Sequence, residues 1–312
     1  MISRDIDNEM SKAMDIQILP IYRKGGEIKT DHPGLRAALP PRRAPRRRSQ
    51  ERLILHLTLG GNAPLSMKAK GKILDKLVDV YYQAEGSTTS ALRDVGDVLN
   101  KFLLDRNLRG SSRGVQATGL FTQIVLREEK VILAQSGPVH AFLITGDQVE
   151  ELYDTDLAGP GLGMGRTPKI RYHQWPIGTG DMILIAPEIP SGWTQATMKH
   201  VSRMQTGAVF SRLLHRVEDD LDAALVQLEK GTGKVRVLRP MLEEELEGER
   251  KGVEGAGDGG RKQPPGRPSL PEKPSQPERT PISEQQAGVH PAPTADREAS
   301  VEQEKPADDP LQ

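Results

Sequence analysis

The sequence has no cysteine, few aromatic residues and no excess of either charge. The absence of cysteine from its 312 residues excludes disulfides, zinc ribbons, iron–sulfur clusters and thiol nucleophiles. Aromatic residues make up only 4% of the chain, and none follows Phe210. Positive and negative side chains balance to a formal net charge of +0. Whole classes of redox and thiol enzymes are therefore excluded at the outset.

Long apolar runs are also missing. No uninterrupted stretch approaches the roughly 18 apolar residues that a membrane-spanning helix needs. The first twelve residues contain no apolar segment of the kind found in secretory signals. We therefore expect a soluble, cytoplasmic protein without a membrane span.

The composition changes along the chain and indicates three parts. Residues 1–52 form an N-terminal segment with an arginine- and proline-rich loop, and we expect order to begin at Leu53. Residues 53–239 carry the apolar patterns of a folded domain. Residues 240–312 are rich in Pro, Glu and Gly and cannot bury enough apolar surface to offset the entropy lost on ordering. We predict that this tail is disordered.

The arginine-rich loop allows two interpretations. Arginines at six positions from Arg42 to Arg52 alternate with prolines and polar residues. Proline pairs and repelling charges favour an extended surface loop, whereas arginine forks also suit a phosphate-binding arm. No aromatic residue lies between the arginines to stack on bases. We favour the surface loop and do not expect nucleic acid as a partner.

Apolar periodicity predicts an α+β domain with antiparallel sheets. Residues 53–59 alternate as a strand that ends at Gly60 and Gly61, and two amphipathic helices follow over 65–82 and from Ser87 or Thr88. The second helix is expected to bury Leu92, Val95, Leu99, Phe102 and Leu103. Short strands are predicted over 120–126, 131–135, 140–145, 148–153, 170–175 and 182–186. A third helical stretch over 194–216 and a terminal hairpin of 223–228 with 235–238 complete the pattern.

Two glycine-rich segments resemble nucleotide-binding loops without meeting their requirements. Gly159–Gly165 is followed by Arg166-Thr167-Pro168 and a strand, so no helix N-terminus is available to hold a pyrophosphate. Residues 231–234 read Gly-Thr-Gly-Lys but lack the first glycine of a P-loop and the hydroxyl residue after the lysine. We interpret the first as a loop and the second as a hairpin turn.

Four segments resemble the motifs of one enzyme family in order and spacing. Residues 131–152 read as an apolar strand, a glycine at Gly137 and a second strand that ends in a glycine turn. Residues 180–186 read Gly-Asp followed by an apolar strand, and 219–226 begin Asp-Asp before another strand. Residues 53–62 form a strand that leads into Gly-Gly. This set resembles the PPM-type (type 2C, metal-dependent) protein phosphatases over about 53–228.

The resemblance implies a four-layer α-β-β-α sandwich of antiparallel sheets. Members of that family use two divalent metals, held by carboxylates, to activate a water against phosphoserine or phosphothreonine. This chain departs from the family motifs at the ligand positions. The family's bridging Asp is replaced by Leu57 or Leu59, depending on the alignment, and Pro138 replaces the Asp of the Gly-Asp-Ser-Arg motif.

Two carboxylates remain as candidate metal ligands, Glu188 and Asp219, at the family-matched positions. Each has an alternative: Asp219 suits turn chemistry before a strand, and Glu188 suits a solvated loop between prolines. One or two carboxylates can hold a single hydrated magnesium weakly but not a binuclear pair. We therefore expect no cofactor, with Mg or Mn only if residual activity exists, and we assign no catalytic residue.

Three histidines lie in strand-like segments without the sequence spacing of a metal site. His56, His140 and His173 are interpreted as packed or surface residues rather than as catalytic bases. The sequence thus favours a catalytically degenerate phosphatase-like module, a pseudophosphatase with a binding or regulatory role in signalling. Its expected partner is a protein or a phosphoprotein. The alternative is a residual metal-dependent Ser/Thr phosphoprotein phosphatase with a reduced metal site.

Overall fold

The computed structural model describes residues 14–239 apart from 147, 200 and 216. The tail 240–312, predicted to be disordered, lies outside the described residues. The strands are β1 (Met14–Lys24), β2 (Glu27–Ile28), β3 (Leu35–Ala38), β4 (Arg52–Gly61), β5 (Ala117–Arg127), β6 (Lys130–Ser136), β7 (His140–Thr145), β8 (Gln148–Glu151), β9 (Arg171–Pro176), β10 (Met182–Ala186), β11 (Leu221–Lys230) and β12 (Val235–Val237). The helices are α1 (Met67–Gln83), α2 (Thr88–Gly110), α3 (Thr155–Ala158), α4 (Gln195–Met198) and α5 (Thr206–Leu214).

The strands form two sheets that pack face to face. The larger sheet has the order β12-β1-β11-β10-β7-β8, with β2 paired to β1, and the smaller has the order β3-β4-β5-β6-β9. Buried apolar side chains from both sheets make a central core, which includes Ile54, Ile124 and Val226. Helices α1 and α2 cover the outer face of the smaller sheet, while α4 and α5 cover that of the larger one. The predicted four-layer α-β-β-α sandwich is confirmed.

Order begins earlier in the chain than the expected boundary at Leu53. Strand β1 pairs along its length with β11, from Met14 opposite Lys230 to Arg23 opposite Leu221. Strand β3 pairs with β4 at the edge of the smaller sheet. The expectation is wrong because the strand that pairs with β1 lies about 200 residues away, so the local sequence gives no sign of the pairing.

The predicted terminal hairpin is also wrong. Strand β11 already pairs with β1 on one side and with β10 on the other. Both of its edges are occupied, so β12 crosses to the outer edge of β1 and pairs with it in parallel. The glycine turn 231–233 therefore brings β12 to the side of β1 that faces away from β11, and β12 does not pair with β11.

The outer edge of β1 is covered at both ends. The amide of Ile16 donates to the Lys234 carbonyl at 2.8 Å, and the amide of Leu238 donates to the Ile18 carbonyl at 2.8 Å. Further along, the Tyr22 carbonyl accepts from the amide of Lys29 at 2.9 Å. Even-numbered residues of β1 thus direct their backbone polar groups outwards. Between the two covered ends lies Pro20, which has no N–H to donate.

The helices follow the predicted faces with two exceptions. Ser87 caps α2 by accepting a hydrogen bond from the Ser90 amide at 3.1 Å, as its position before Thr88 indicated. Phe102, expected to be buried, is 37% exposed because it lies beside the apolar stripe of α2 rather than on it. The predicted helix over 194–216 is broken into α4 and α5, since the backbone leaves the helical region at Lys199.

In the described residues no helix combines the length and the apolar character that a bilayer crossing needs.

Part of the arginine-rich loop is anchored in the protein. Arg48 is 1% exposed and pairs with the equally buried Glu51, with Nη1 2.9 Å from Oε2. The hydroxyls of Tyr81 and Thr88 donate to the same carboxylate at 2.7 and 2.6 Å. Because these donors come from α1 and α2, the network ties the loop to the helical layer. The interpretation as an extended surface loop fits the exposed arginines before Arg48 but not Arg48 itself.

We expect Arg48→Met to lower the free energy of unfolding by about 3–5 kcal/mol, because it leaves the Glu51 carboxylate buried without its cation. The matched control is Arg47→Met, which changes an exposed neighbour and should stay within about 0.5 kcal/mol of the parent protein. Urea unfolding of the two variants makes the comparison. Equal, small effects would contradict the structural role of the buried pair.

Candidate functional site

A cleft of about 740 Å³ opens where the two sheets meet. One wall comes from the end of β4, which contributes Thr58, Leu59 and Gly60. The opposite wall comes from the loop after β10, from His215 and from residues 217–222 at the start of β11. Residues 22–24 of β1 and Lys70 of α1 complete the lining. The cleft is thus built from the ends of strands in both sheets.

Carboxylates outnumber basic side chains along this lining. The acids are Glu188, Glu218, Asp219, Asp220 and Asp222, and the bases are Arg23, Lys24 and Lys70. Arg23 is already engaged, because its guanidinium donates to the backbone carbonyl of Val217. Burial lowers the pKa of the Lys70 ammonium, and the positive charge of Lys24 lowers it further. The negative charge of Asp222 opposes this shift. The cleft therefore favours a cationic occupant.

Both residues predicted as metal ligands line this cleft. Glu188 follows β10 and Asp219 precedes β11, and both side chains are exposed. Neither makes a hydrogen bond or an ion pair with another described residue. The neighbouring Asp220 has a structural contact, since its Oδ1 accepts from the Gly25 amide at 2.6 Å and holds the turn after β1. Glu188 and Asp219, together with exposed Glu218, are the lining carboxylates left available to a ligand among the described residues.

A cluster of two histidines and one aspartate lies beneath the cleft. Asp222 Oδ1 lies 2.8 Å from His32 Nε2 and 2.8 Å from His56 Nε2, and the two nitrogens are 3.3 Å apart. The imidazoles are almost fully buried, with 2% and 1% of their side chains exposed, while Asp222 is 23% exposed towards the cleft. Within the described part of the chain, no other set of three His, Asp or Glu side chains brings its ligand atoms within 4.8 Å of one another.

The surroundings fix the protonation states of this cluster. Burial alone would raise the pKa of Asp222, but the charge of His56 and the hydrogen bonds from both imidazoles outweigh it and hold that pKa well below its usual range. Burial lowers the pKa of His32 despite its contact with Asp222. Burial also raises the pKa of Tyr22, whose ring lies 4.8 Å from that of His32. Near neutral pH the cluster thus holds a carboxylate and a neutral His32.

Backbone and side-chain contacts position the three residues. Thr58 Oγ1 donates to Asp222 Oδ2 at 2.9 Å, and the Gly34 amide donates to His32 Nδ1 at 3.1 Å. Gly34 also accepts a hydrogen bond from the Leu57 amide at 2.8 Å, and a Cβ at this position would overlap the Leu57 carbonyl oxygen. Only glycine permits this approach of the loop to β4, and the approach places the His32 ring.

Sequence reasoning missed His32 and Asp222 and treated His56 as a packed residue. His56 is indeed buried, but it packs against two potential metal ligands that lie 24 and 166 residues away. One signal was visible: His56 interrupts an otherwise apolar strand on the face that points towards the other sheet. The other two histidines behave as interpreted, since His140 stacks on Tyr153 beside Glu151, and His173 lies edge-on to Trp175.

The two leucines near the end of β4 present no carboxylate to the cleft. Leu57 is 0% exposed and packs in the core between the smaller sheet and the helices, while Leu59 packs at the margin of that core and lines the cleft. Whichever of the two leucines is aligned with the bridging Asp of the family motif, its side chain is a hydrocarbon and cannot bind a metal ion. Of the described carboxylates in the cleft, only Asp222 belongs to a three-residue cluster, and its partners are imidazoles.

Comparison with solved structures identifies the fold. The S. agalactiae serine/threonine phosphatase aligns with a TM-score of 0.51 at 12% identity, over 69% of this chain and 100% of that one. A serine/threonine phosphatase from Staphylococcus aureus gives 0.52 at 11% identity, over 73% and 100%. A bacterial serine phosphatase gives 0.53 at 10% identity, over 70% and 99%. No protein-family model matches the sequence, and no curated protein matches it.

These similarities confirm the resemblance to PPM-type phosphatases at the level of the fold. The aligned share of each phosphatase is nearly complete, so this chain contains the whole of the shared sandwich.

We expect Leu57→Asp to lower the free energy of unfolding by about 3–5 kcal/mol, because it places an unpaired carboxylate in the core beneath α1 and α2. The matched variant Leu59→Asp puts the same group at the cleft and should cost about 1 kcal/mol. Urea denaturation of both variants tests the difference. If Leu57→Asp is tolerated as well as Leu59→Asp, residue 57 reaches the cleft and our description of this strand end is wrong.

Proposed function

We propose that this protein is a catalytically degenerate phosphatase-like module that acts in cytoplasmic signalling by binding a protein partner. The observation that carries the proposal is the pair of leucines, Leu57 and Leu59, at the end of β4. A phosphatase of this fold needs a bridging aspartate at that place. The sandwich and the cleft remain, while the groups that would hold two metal ions do not.

The electrostatics of a metal pair explain why this loss matters. Two dications about 4 Å apart repel by on the order of 15 kcal/mol at an effective dielectric constant of 20. Paired-metal enzymes offset this repulsion with carboxylates, above all one shared between the ions. In this cleft the side chains of Glu188 and Asp219 extend from separate loops, and a leucine stands at the shared position. A water-activating metal pair would not be held.

The charge of the cleft indicates what kind of partner segment it binds. Exposed Glu188, Glu218 and Asp219 dominate the lining, and Arg23 is committed to Val217. A phosphoryl group would meet this acidic surface without a metal ion to offset the repulsion. A lysine- or arginine-bearing segment would instead pair with the exposed carboxylates. We infer that the partner presents a basic segment rather than a phosphorylated one.

A residual phosphatase remains the alternative, because Glu188 and Asp219 line the same cleft. Such an enzyme would use these two carboxylates with one magnesium or manganese ion. The two functions predict different behaviour in solution and are separated by the following measurements.

We expect no hydrolysis of p-nitrophenyl phosphate or of a phosphothreonine peptide above background when the full chain is assayed with Mg²⁺ or Mn²⁺, since no metal pair is held to activate water. Turnover that disappears in Asp219→Asn but persists in the surface control Glu85→Gln would establish the alternative and overturn the proposal.

We expect a fluorescent lysine- and arginine-rich peptide to bind the full chain and to bind more weakly as salt is raised. The double variant Glu188→Gln/Asp219→Asn should weaken binding by about 2- to 30-fold, because each of the two exposed ion pairs is worth about 0.2–1 kcal/mol. Fluorescence anisotropy gives the dissociation constants, with Asp79→Asn/Glu85→Gln, which removes two exposed carboxylates outside the cleft, as the charge-matched control. Tighter binding of a phosphorylated peptide, or no effect of the double variant, would contradict a basic partner.

A further inference from the structure

We propose that His32, His56 and Asp222 form a binding site for a single zinc-class transition-metal ion. This proposal does not depend on the proposed function, and its ligands differ from Glu188 and Asp219, the carboxylates suggested by the family motifs. Imidazole and one carboxylate suit zinc, cobalt, nickel or copper, whereas magnesium prefers oxygen ligands and keeps several waters.

The spacing of the three ligand atoms matches that around one metal ion. Asp222 Oδ1 is 2.8 Å from each Nε2, and the two nitrogens are 3.3 Å apart. A triangle of this size allows one ion to lie about 2.1 Å from all three atoms, which is the usual length of zinc–nitrogen and zinc–oxygen bonds. In a tetrahedral site with these bond lengths the ligand atoms are about 3.4 Å apart, so the nitrogen pair nearly fits and Asp222 Oδ1 must move about half an ångström away from both nitrogens.

The arrangement of these three side chains is electrostatically crowded. Both imidazoles direct Nε2 at the same carboxylate oxygen, so two N–H groups face each other across 3.3 Å. One dication would replace both protons and satisfy all three atoms at once. Because the imidazoles are neutral as ligands, the ion keeps a net charge of +1 with Asp222, and the acidic cleft beside it favours that charge.

Metal binding carries one identifiable cost. The Gly34 amide donates to His32 Nδ1, which places the ring proton on Nε2. Coordination through Nε2 moves that proton to Nδ1 and removes this hydrogen bond. The Thr58 hydroxyl, in contrast, holds the free oxygen of Asp222 in either state.

A buried hydroxyl without a partner supports the site. Thr122 lies directly opposite His56 across β4 and β5, so the two side chains occupy the same face of the sheet. Its Oγ1 is buried and makes no hydrogen bond within the described residues. Ligating histidines usually donate their second ring N–H to a nearby oxygen, and Thr122 offers such an oxygen on this face.

The three ligands come from both sheets and leave one coordination position open. Asp222 belongs to the larger sheet, His56 to the smaller one, and His32 to the loop that crosses between them, so an ion here would join both halves of the sandwich. Three protein ligands leave a fourth position, as in zinc sites that bind water or a small anion. Since Asp222 and Thr58 line the cleft, that position opens towards it.

The test titrates Zn²⁺ alone into the chelator-treated full chain by isothermal calorimetry and follows the melting temperature. We expect one ion per chain, a higher melting temperature because only the folded state binds, and no comparable effect of Mg²⁺. His56→Gln and Asp222→Asn should each weaken zinc binding by about 100-fold or more, and Thr58→Val by about 10-fold. The control His215→Gln, a cleft histidine outside the cluster, should leave it unchanged.

A folded parent protein that binds no zinc, or zinc affinity unaltered in both ligand variants, would overturn the proposal. If the variants fail to fold, an anomalous difference map of the zinc-soaked parent protein decides. A peak within bonding distance of His32, His56 and Asp222 supports the site, and a peak elsewhere or none at all refutes it.

Discussion

One carboxylate oxygen, Oδ1 of Asp222, accepts hydrogen bonds from two imidazoles across the boundary between the sheets. A charged group at this depth is costly unless several donors surround it, and His32, His56 and Thr58 supply them. These contacts lock the start of β11 against the end of β4 and hold the crossing loop between them. This junction is polar, whereas the cluster of side chains that fills most of the space between the sheets is apolar.

Much of the fold could be predicted from local patterns, because most elements carry their own apolar periodicity. The alternation over β4 and β5 and the apolar stripe of α1 each specify an element without reference to distant residues. Strand pairing is different, since it depends on which edges remain free once the other strands have paired. The apolar run of β1 is compatible with several partners, and the place of β12 depends on both edges of β11 being occupied.

The candidate site was less accessible to sequence reasoning. Glu188 and Asp219 could be located because each lies next to a strand with a recognisable motif, and the structure brings both to one cleft. His32 and Asp222 lie 190 positions apart, and nothing in the local sequence of either indicates the other. Only the packing of one sheet on the other brings them together. A site built across layers leaves little trace in the order of residues.

The outer edge of β1 has a consequence for self-association. Open strand edges invite pairing with a second molecule and so promote aggregation. In this protein β12 and β2 occupy the two ends of that edge, and the gap between them falls at Pro20, which presents a ring in place of a hydrogen-bond donor. An intruding strand would therefore find no continuous ladder to extend along this edge of β1.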